Sequence, residues 1–378
     1  MSRKKGRVRA RRREKRRKPV SSSLWRLAWR QFRRHRLALA GVIILAVLYS
    51  IVICPDFFAP NDPYKRSDDL FRPPQHIHFV DGQGGFHILP FVYSVTESLD
   101  METFKYTFTE ERDVMHPVRL FVRGYEYKLF GLFKTDVHLF GTTTGEPFYP
   151  FGTDRLGRCV LSRIFHGTRI SLSVGLIGVT ISLILGLLFG GISGYFGGAV
   201  DTIIQRTIEI ILSVPAIPLW MALSAAIPKT WTPITVFFCI VVILSLLQWI
   251  GLARVVRGRF LSLREEDFVM AAVACGVPTV RLIARHILPN TMSYVLVNAT
   301  LAIPAMILGE TALSFIGVGL RPPVISWGVL LSTAQGLKVL SLNPWLLTPG
   351  IFVVIAVLAF NFVGDGLRDA MDPHSYRR

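Results

Sequence analysis

Acidic residues and cysteines are both scarce in this chain. Of 378 residues, 25 are Asp or Glu, and charged residues of all types make up only 18%. Against 51% hydrophobic residues, that excludes a disordered polymer. The four cysteines, Cys54, Cys159, Cys239 and Cys275, lie far apart and form no CxxC pair, which argues against a disulfide scaffold or a cysteine metal framework. Several catalytic signatures are missing as well. There is no P-loop, no GxSxG and no HExxH, so the chain shows no ATPase site of its own.

Base is abundant. Lys and Arg number 43, the formal net charge is +18, and the pI is near 10.2. Taken alone, these values suggest a nucleic-acid binder. The mean hydropathy of +0.43 argues otherwise, and so does the placement of the charge. Residues 1–36 hold 17 Lys and Arg against one acid, Glu14, while the remainder is nearly balanced at 26 basic to 24 acidic. The excess is a property of the tail, and no nucleic-acid partner is expected.

A bilayer core about 30 Å thick needs roughly 20 mostly apolar helical residues. Six runs qualify: Leu37–Ile53, Ile170–Phe196, Ile203–Ile227, Pro233–Ala253, Tyr294–Leu320 and Pro344–Val363. Orientation follows from Lys and Arg in the flanking loops. The basic residues before the first run place the N-terminus in the cytoplasm. Arg254, Arg257, Arg259, Arg264, Arg281 and Arg285 place the loop between runs four and five on the same side. Arg368, Arg377 and Arg378 place the C-terminus there too, in agreement with six crossings. The first run is followed by Cys54-Pro55-Asp56 rather than a small-x-small cleavage site, so it reads as a retained span. The basic tail next to it suits anionic lipid headgroups.

Residues 58–150 form a long hydrophilic stretch that this topology places outside. With 13 acids to 9 basic residues it is mildly acidic. Short alternating stretches (His76–Val80, Phe86–Tyr93, Tyr127–Phe133, Val137–Phe140) between Gly-containing turn signals predict a small β-rich domain. His76 and His78 share a strand face with His87 nearby, which would suit a metal. Without a further spaced ligand set, ordinary polar residues on an exposed strand are the favoured reading.

The cytoplasmic loop, about 254–292, reads as helix, turn, helix. Ala271, Ala272, Ala274 and Gly276 give a narrow surface that can enter a partner's groove closely, and Gly276-Val277-Pro278 then breaks the helix. A connector tucked under the bundle would have the same pattern. The Ala pair, Gly276 and Pro289 thirteen positions later resemble the EAA loop of binding-protein-dependent ABC importer permeases. Phe151-Gly-Thr-Asp-Arg-Leu-Gly-Arg158, Gly167-Thr-Arg-Ile-Ser-Leu172, Gly194-Tyr-Phe-Gly-Gly198 with Asp201, and Leu313-Ser-Phe-Ile-Gly-Val-Gly319 with Ser326-Trp-Gly328 extend the resemblance. So do Asn361-Phe-Val-Gly-Asp-Gly-Leu-Arg-Asp369 with Asp372-Pro373, and Ala59-Pro-Asn-Asp-Pro63. Their joint order, over residues 24–63 and 148–373, resembles the C-type permease of the dipeptide/oligopeptide branch.

The resemblance implies an all-α, six-span type I importer permease with a small β-rich extracytoplasmic insert, in a bacterial or archaeal cytoplasmic membrane. Its organisation would be a basic cytoplasmic tail (1–36), a first transmembrane helix (37–57), the insert (58–150), a five-span core carrying the coupling loop (151–366) and a cytoplasmic tail (367–378). Implied partners are a homologous B-type permease, two cytoplasmic ABC ATPase subunits or domains, and an extracytoplasmic solute-binding protein. No cofactor is expected on this chain, and ATP-Mg would sit on the ATPases. The coupling helix, about 268–279, would ride in an ATPase groove. The residues implied in coupling are Glu265, Glu266, Asp267, Phe268, Met270, Ala271, Ala272, Gly276, Pro278, His286 and Pro289. The chain departs from the family in three places. Met270 stands where a Glu is common, leaving Glu265, Glu266 or Asp267 as replacement contacts. Cys159 stands where an acid is usual. The insert is long, and is expected to dock or orient the solute-binding protein.

Three further charges lie within the apolar runs. Glu310, deep in the fifth, is expected to face protein or water, with interhelical bonding favoured over substrate contact. Arg206 and Glu209 share a helix face and are expected to pair. Pro215, Pro218 and Pro304 are positions where a span can break or kink. An ion-coupled secondary transporter is the competing function. It would call for internal repeats and several mid-span ion ligands.

Overall fold

Hydrophobic run length sets the architecture. The computed structural model describes residues 24–100 and 105–371. Most of the expected basic tail (1–23) and Asp372, Pro373, Arg377 and Arg378 lie outside the described residues. Among the described residues, five helices are long and apolar enough to cross a bilayer: Arg36–Ile53, Val160–Phe196, Pro233–Arg264, Thr279–Ile316 and Pro344–Met371. They are called here the first, second, fourth, fifth and sixth spans.

The third apolar run is not a straight helix. Gly198–Leu212 and Ala216–Ala225 meet at a bend of 82°, so the count is six only if this pair is one crossing. Pro215 accounts for the break. It supplies no N–H, and it biases Val214 before it away from helical torsions. The Ser213 N–H turns back onto Glu209 and Ile210 carbonyls, ending the first half. The fifth run also ends earlier than its apolar residues suggest. Gly317, at φ +86, closes the helix after Ile316, and Val318 and Gly319 donate back to the Leu313 carbonyl. Leu320 is instead buried in the returning segment that leads to the short helix Trp327–Ser332. Pro304 is accommodated inside the fifth helix. Near its start, a π turn over Ile283–Ile287 precedes Pro289.

Close backbone approach holds the second and fourth spans together. A Cβ on Gly190 would stand 2.5 Å from the Ala253 carbonyl oxygen, and one on Gly194 would stand 2.7 Å from that of Arg257. The main core fills the remaining space with Ile164, Leu172, Leu244, Met306, Ile307 and Trp327, among others.

The insert is a four-stranded antiparallel meander in the order β1 (His78–Val80), β2 (Phe86–Asp100), β3 (Lys105–Leu129), β4 (Phe133–Thr142). Two strands are far longer than their alternating segments indicated. The stretch Tyr127–Phe133 is not one strand. β3 ends at Leu129, and the chain reverses through Phe130 and Gly131, both at positive φ. The sheet is tied to the exit of the first span. Tyr125 donates its hydroxyl to the Asp56 carboxylate at 3.1 Å. His138 bridges the carbonyls of Asp56 (2.8 Å) and Tyr125 (3.0 Å). His166, on the second span, lies 3.2 Å from the same Asp56 carboxylate.

Candidate functional site

The loop between the fourth and fifth spans forms an eight-residue helix, Asp267–Ala274. Val269 is buried and packs with Val256, Phe260, Leu282, Ile287 and Val295 beneath the fourth and fifth spans. Val269, with Ala272 and Val277 packed against the same cluster, sets which face turns outward. Phe268, Met270, Ala271 and Val273 are exposed, and Ala272 is half-buried. An apolar surface of this kind beside charged residues marks an interaction site. Glu265, Glu266 and Asp267 cluster at the start of the helix, and no ion pair joins them to another described residue.

Gly276 ends the helix at φ +74, with its N–H on the Val273 carbonyl at 2.9 Å and the Val277 N–H on that of Ala272 at 3.1 Å. A Cβ there would meet nothing within 4 Å, so the torsion rather than space demands glycine. Pro278 starts the next helical turn. His286 is half-buried and its carbonyl accepts from Asn290 at 2.6 Å; Pro289 lies on the same stretch. Of the residues implied in coupling, those from Glu265 to Gly276 lie on this helix and at its ends, Pro278 on the turn that follows, and His286 and Pro289 at the start of the fifth span.

A polar brace stands behind this element, and it could not be read from the sequence. Arg257 on the fourth span grips Asp201 with two 2.6 Å contacts from Nε and Nη2. Ser193, at the end of the second span, also donates to Asp201, and Arg264 reaches the Tyr195 carbonyl at 3.1 Å. The Arg259 guanidinium lies 4.2 Å from the centre of the Tyr294 ring on the fifth span. In sequence, Asp201 belongs to a motif and Arg257 and Arg259 mark orientation; only the fold pairs them. Arg206 and Glu209 do pair, at 2.7 Å, on a face not covered by the rest of this chain.

Glu310 is fully buried. Its carboxylate accepts from Ser314 (2.8 Å), Ser326 (2.7 Å) and Ser171 (3.3 Å). Ser326 also caps Trp327–Ser332 through the Val329 N–H, and Ser171 takes the Trp327 N–H at 3.1 Å. Glu310 thus binds the second span, the fifth span and the returning segment to one another. The histidines of the insert's first two strands are engaged singly. His87 lies 3.0 Å from Asp81, and His78 lies 3.4 Å from Glu110. Among the described residues no group of three or more His, Cys, Asp or Glu could hold a metal.

Comparison with known proteins gives the same reading. Residues 186–375 match a family described as "Binding-protein-dependent transport system inner membrane component". Residues 23–74 match the "N-terminal TM domain of oligopeptide transport permease C". The oligopeptide transport system permease protein OppC of Haemophilus influenzae is 43% identical over 231 residues, covering 61% of this chain and 72% of that protein. OppC of Bacillus subtilis is 40% identical over 224 residues, 59% of this chain and 71% of that protein. The dipeptide transport system permease protein DppC of Bacillus subtilis is 39% identical over 226 residues, 59% and 68% of the two chains.

Proposed function

The chain belongs to the family of binding-protein-dependent transport system inner membrane components, and from that premise we propose that it carries di- or oligopeptides, or a related solute, through a path shared with a homologous permease. It is a helical permease subunit of an ABC importer, and the ATPase is a separate subunit. The proposed assembly has six crossings in this chain, a B-type permease beside it, two ABC ATPases on the cytoplasmic side and a solute-binding protein outside. Both termini are cytoplasmic. The proposed organisation is 1–36 tail, 37–57 first helix, 58–150 extracytoplasmic insert, 151–366 core and 367–378 tail, with the insert receiving the solute-binding protein.

The observation that carries this reading is the exposed helix Asp267–Ala274. It is anchored through Val269 and turned out through Phe268, Met270 and Val273. Seated in an ATPase groove, it passes closure of the ATPase pair to the spans through the Arg257–Asp201 brace, giving two discrete packings of the bundle. Glu265, Glu266 and Asp267 supply the docking charge that Met270 lacks. Glu310, the deep acid an ion-coupled carrier would use, is taken up by three serines.

Affinity purification of the full chain from its native membrane tests the assembly. ATPase subunits and a second permease are expected to copurify, and peptide uptake is expected to stop when ATP is depleted. Uptake by this chain alone, driven by an ion gradient, would overturn the reading.

A further inference from the structure

The turn between β3 and β4 reads Lys128-Leu-Phe-Gly-Leu-Phe-Lys134. Its apolar tip is bare: Phe130 is 61%, Leu132 78% and Phe133 67% exposed. Lys128 and Lys134 are direct cross-strand partners, so both ammonium groups leave the same face of the hairpin. Like charges placed opposite one another destabilise a strand pair unless an anion lies between them. The nearest acids on the two strands, Glu126 and Asp136, sit two residues further from the tip. Neither lysine forms an ion pair with an acid among the described residues.

The backbone adds a second, independent observation. Phe130 holds φ +53 next to Gly131 at φ +72. Asn or Gly makes such a turn at lower cost, whereas a bulky residue there is strained. An aromatic kept in that conformation and left exposed does not serve the turn. Strain of this kind points to function.

The place of the hairpin identifies the partner. Tyr125 and His138 fix these two strands to Asp56, just beyond the first span's end at Ile53. The Phe121 ring meets that of Phe57 at 6.3 Å. The hairpin therefore leaves from the level of the bilayer surface. Its tip lies five residues beyond Tyr125, about 17 Å at roughly 3.3 Å per residue.

We propose that the β3–β4 tip is a membrane anchor, with Phe130, Leu132 and Phe133 entering the outer leaflet and Lys128 and Lys134 holding lipid phosphates. Apolar groups below a pair of snorkelling lysines match the interfacial gradient of a bilayer. The anchor clamps the insert flat over the lipid beside the bundle. It rests on the membrane spans and not on the identity of the solute.

The test uses the full chain with Cys54→Ser, Cys239→Ser and Cys275→Ser, leaving the buried Cys159 in place. Leu132→Cys carries an environment-sensitive dye. The protein is reconstituted in vesicles of equal phosphatidylcholine and phosphatidylglycerol. Nitroxide placed near the lipid headgroup is expected to quench the dye, and aqueous iodide is expected not to. Lys128→Glu with Lys134→Glu should reverse that order. Phe130→Asn keeps the turn torsion and removes the aromatic, so it should lose lipid quenching without lowering the melting temperature. Iodide quenching in the parent protein would overturn the proposal. So would shielding that appears only when a binding protein is added, which would assign the tip to a protein surface.

Discussion

Arg257 closes on Asp201 like a fork, with Nε on one carboxylate oxygen and Nη2 on the other, each at 2.6 Å. This contact joins the C-terminal part of the fourth span to the start of the bent third run. Lysine cannot reproduce the two-point geometry. Arg257→Lys should cost about 1.5–3 kcal/mol, the usual size for hydrogen bonds to charged groups. Thermal unfolding in detergent measures the loss. If the helix Asp267–Ala274 couples to the ATPases as proposed, uptake per ATP hydrolysed should fall as well.

The proposed coupling role of the helix Asp267–Ala274 can be tested without unfolding the bundle. Val273→Asp places a charge on the exposed apolar face and touches none of the buried cluster around Val269. ATPase subunits should no longer copurify, while the melting temperature of the permease should stay within a degree or so, as for ordinary surface changes of about 0.5 kcal/mol. Gly276→Val forces a β-branched residue into positive φ. It should weaken both ATPase binding and the helix end, by about 1–3 kcal/mol.

Removing the Glu310 carboxylate strands three hydroxyl donors at once. Glu310→Ala should destabilise by several kcal/mol, since each unsatisfied buried group costs about 1–3 kcal/mol. Glu310→Gln retains an acceptor oxygen and should fold. Ser326→Ala removes the cap of Trp327–Ser332 along with one donor, and should cost about 1–2 kcal/mol. Proteolysis of the loop 317–343 in native membranes reads this release directly.

The turn at Asp81 should respond to acid. A hydrogen bond with His87 and those from the Gly85 and Gln83 N–H groups hold the Asp81 carboxyl below the usual carboxylate range. A depressed folded value means the stabilising contribution is full above the unfolded value and is lost as the pH falls through the folded one. Hydrogen exchange across residues 78–93 should therefore show a turn ordered near neutrality and loosened only in acid below the ordinary carboxylate range. Asp81→Ala should be loose at both.

Much of the fold was legible because membrane spans are long, and an uncharged apolar run of roughly 20 residues seldom serves anything but a bilayer. The exceptions have local causes. Pro215 splits the third run, yet the residues around it are as apolar as any span. In the insert, Phe130 and Leu132 hid a turn, because an apolar stretch reads as strand; Gly131 was the available signal. The strands β2 and β3 carry charges along their length, which concealed how far they extend. At the candidate site the narrow Ala-Ala face and Gly276 were readable from composition. The partners of Asp201 and Glu310 were not, since Arg257 and Ser171 lie 56 and 139 residues away in the chain.

The glycine contacts between the second and fourth spans bear on how the bundle can move. Gly186, Gly190 and Gly194 recur every four residues and face Leu252, Ala253 and Arg257 in turn. At Gly190 and Gly194, backbone meets backbone. Such a seam has no rotamers to exchange and no slack to take up, so these two helices travel as one rigid plate. Any rocking that opens a path must pivot elsewhere, and the 82° elbow after Leu212 breaks the run that links those two helices in sequence.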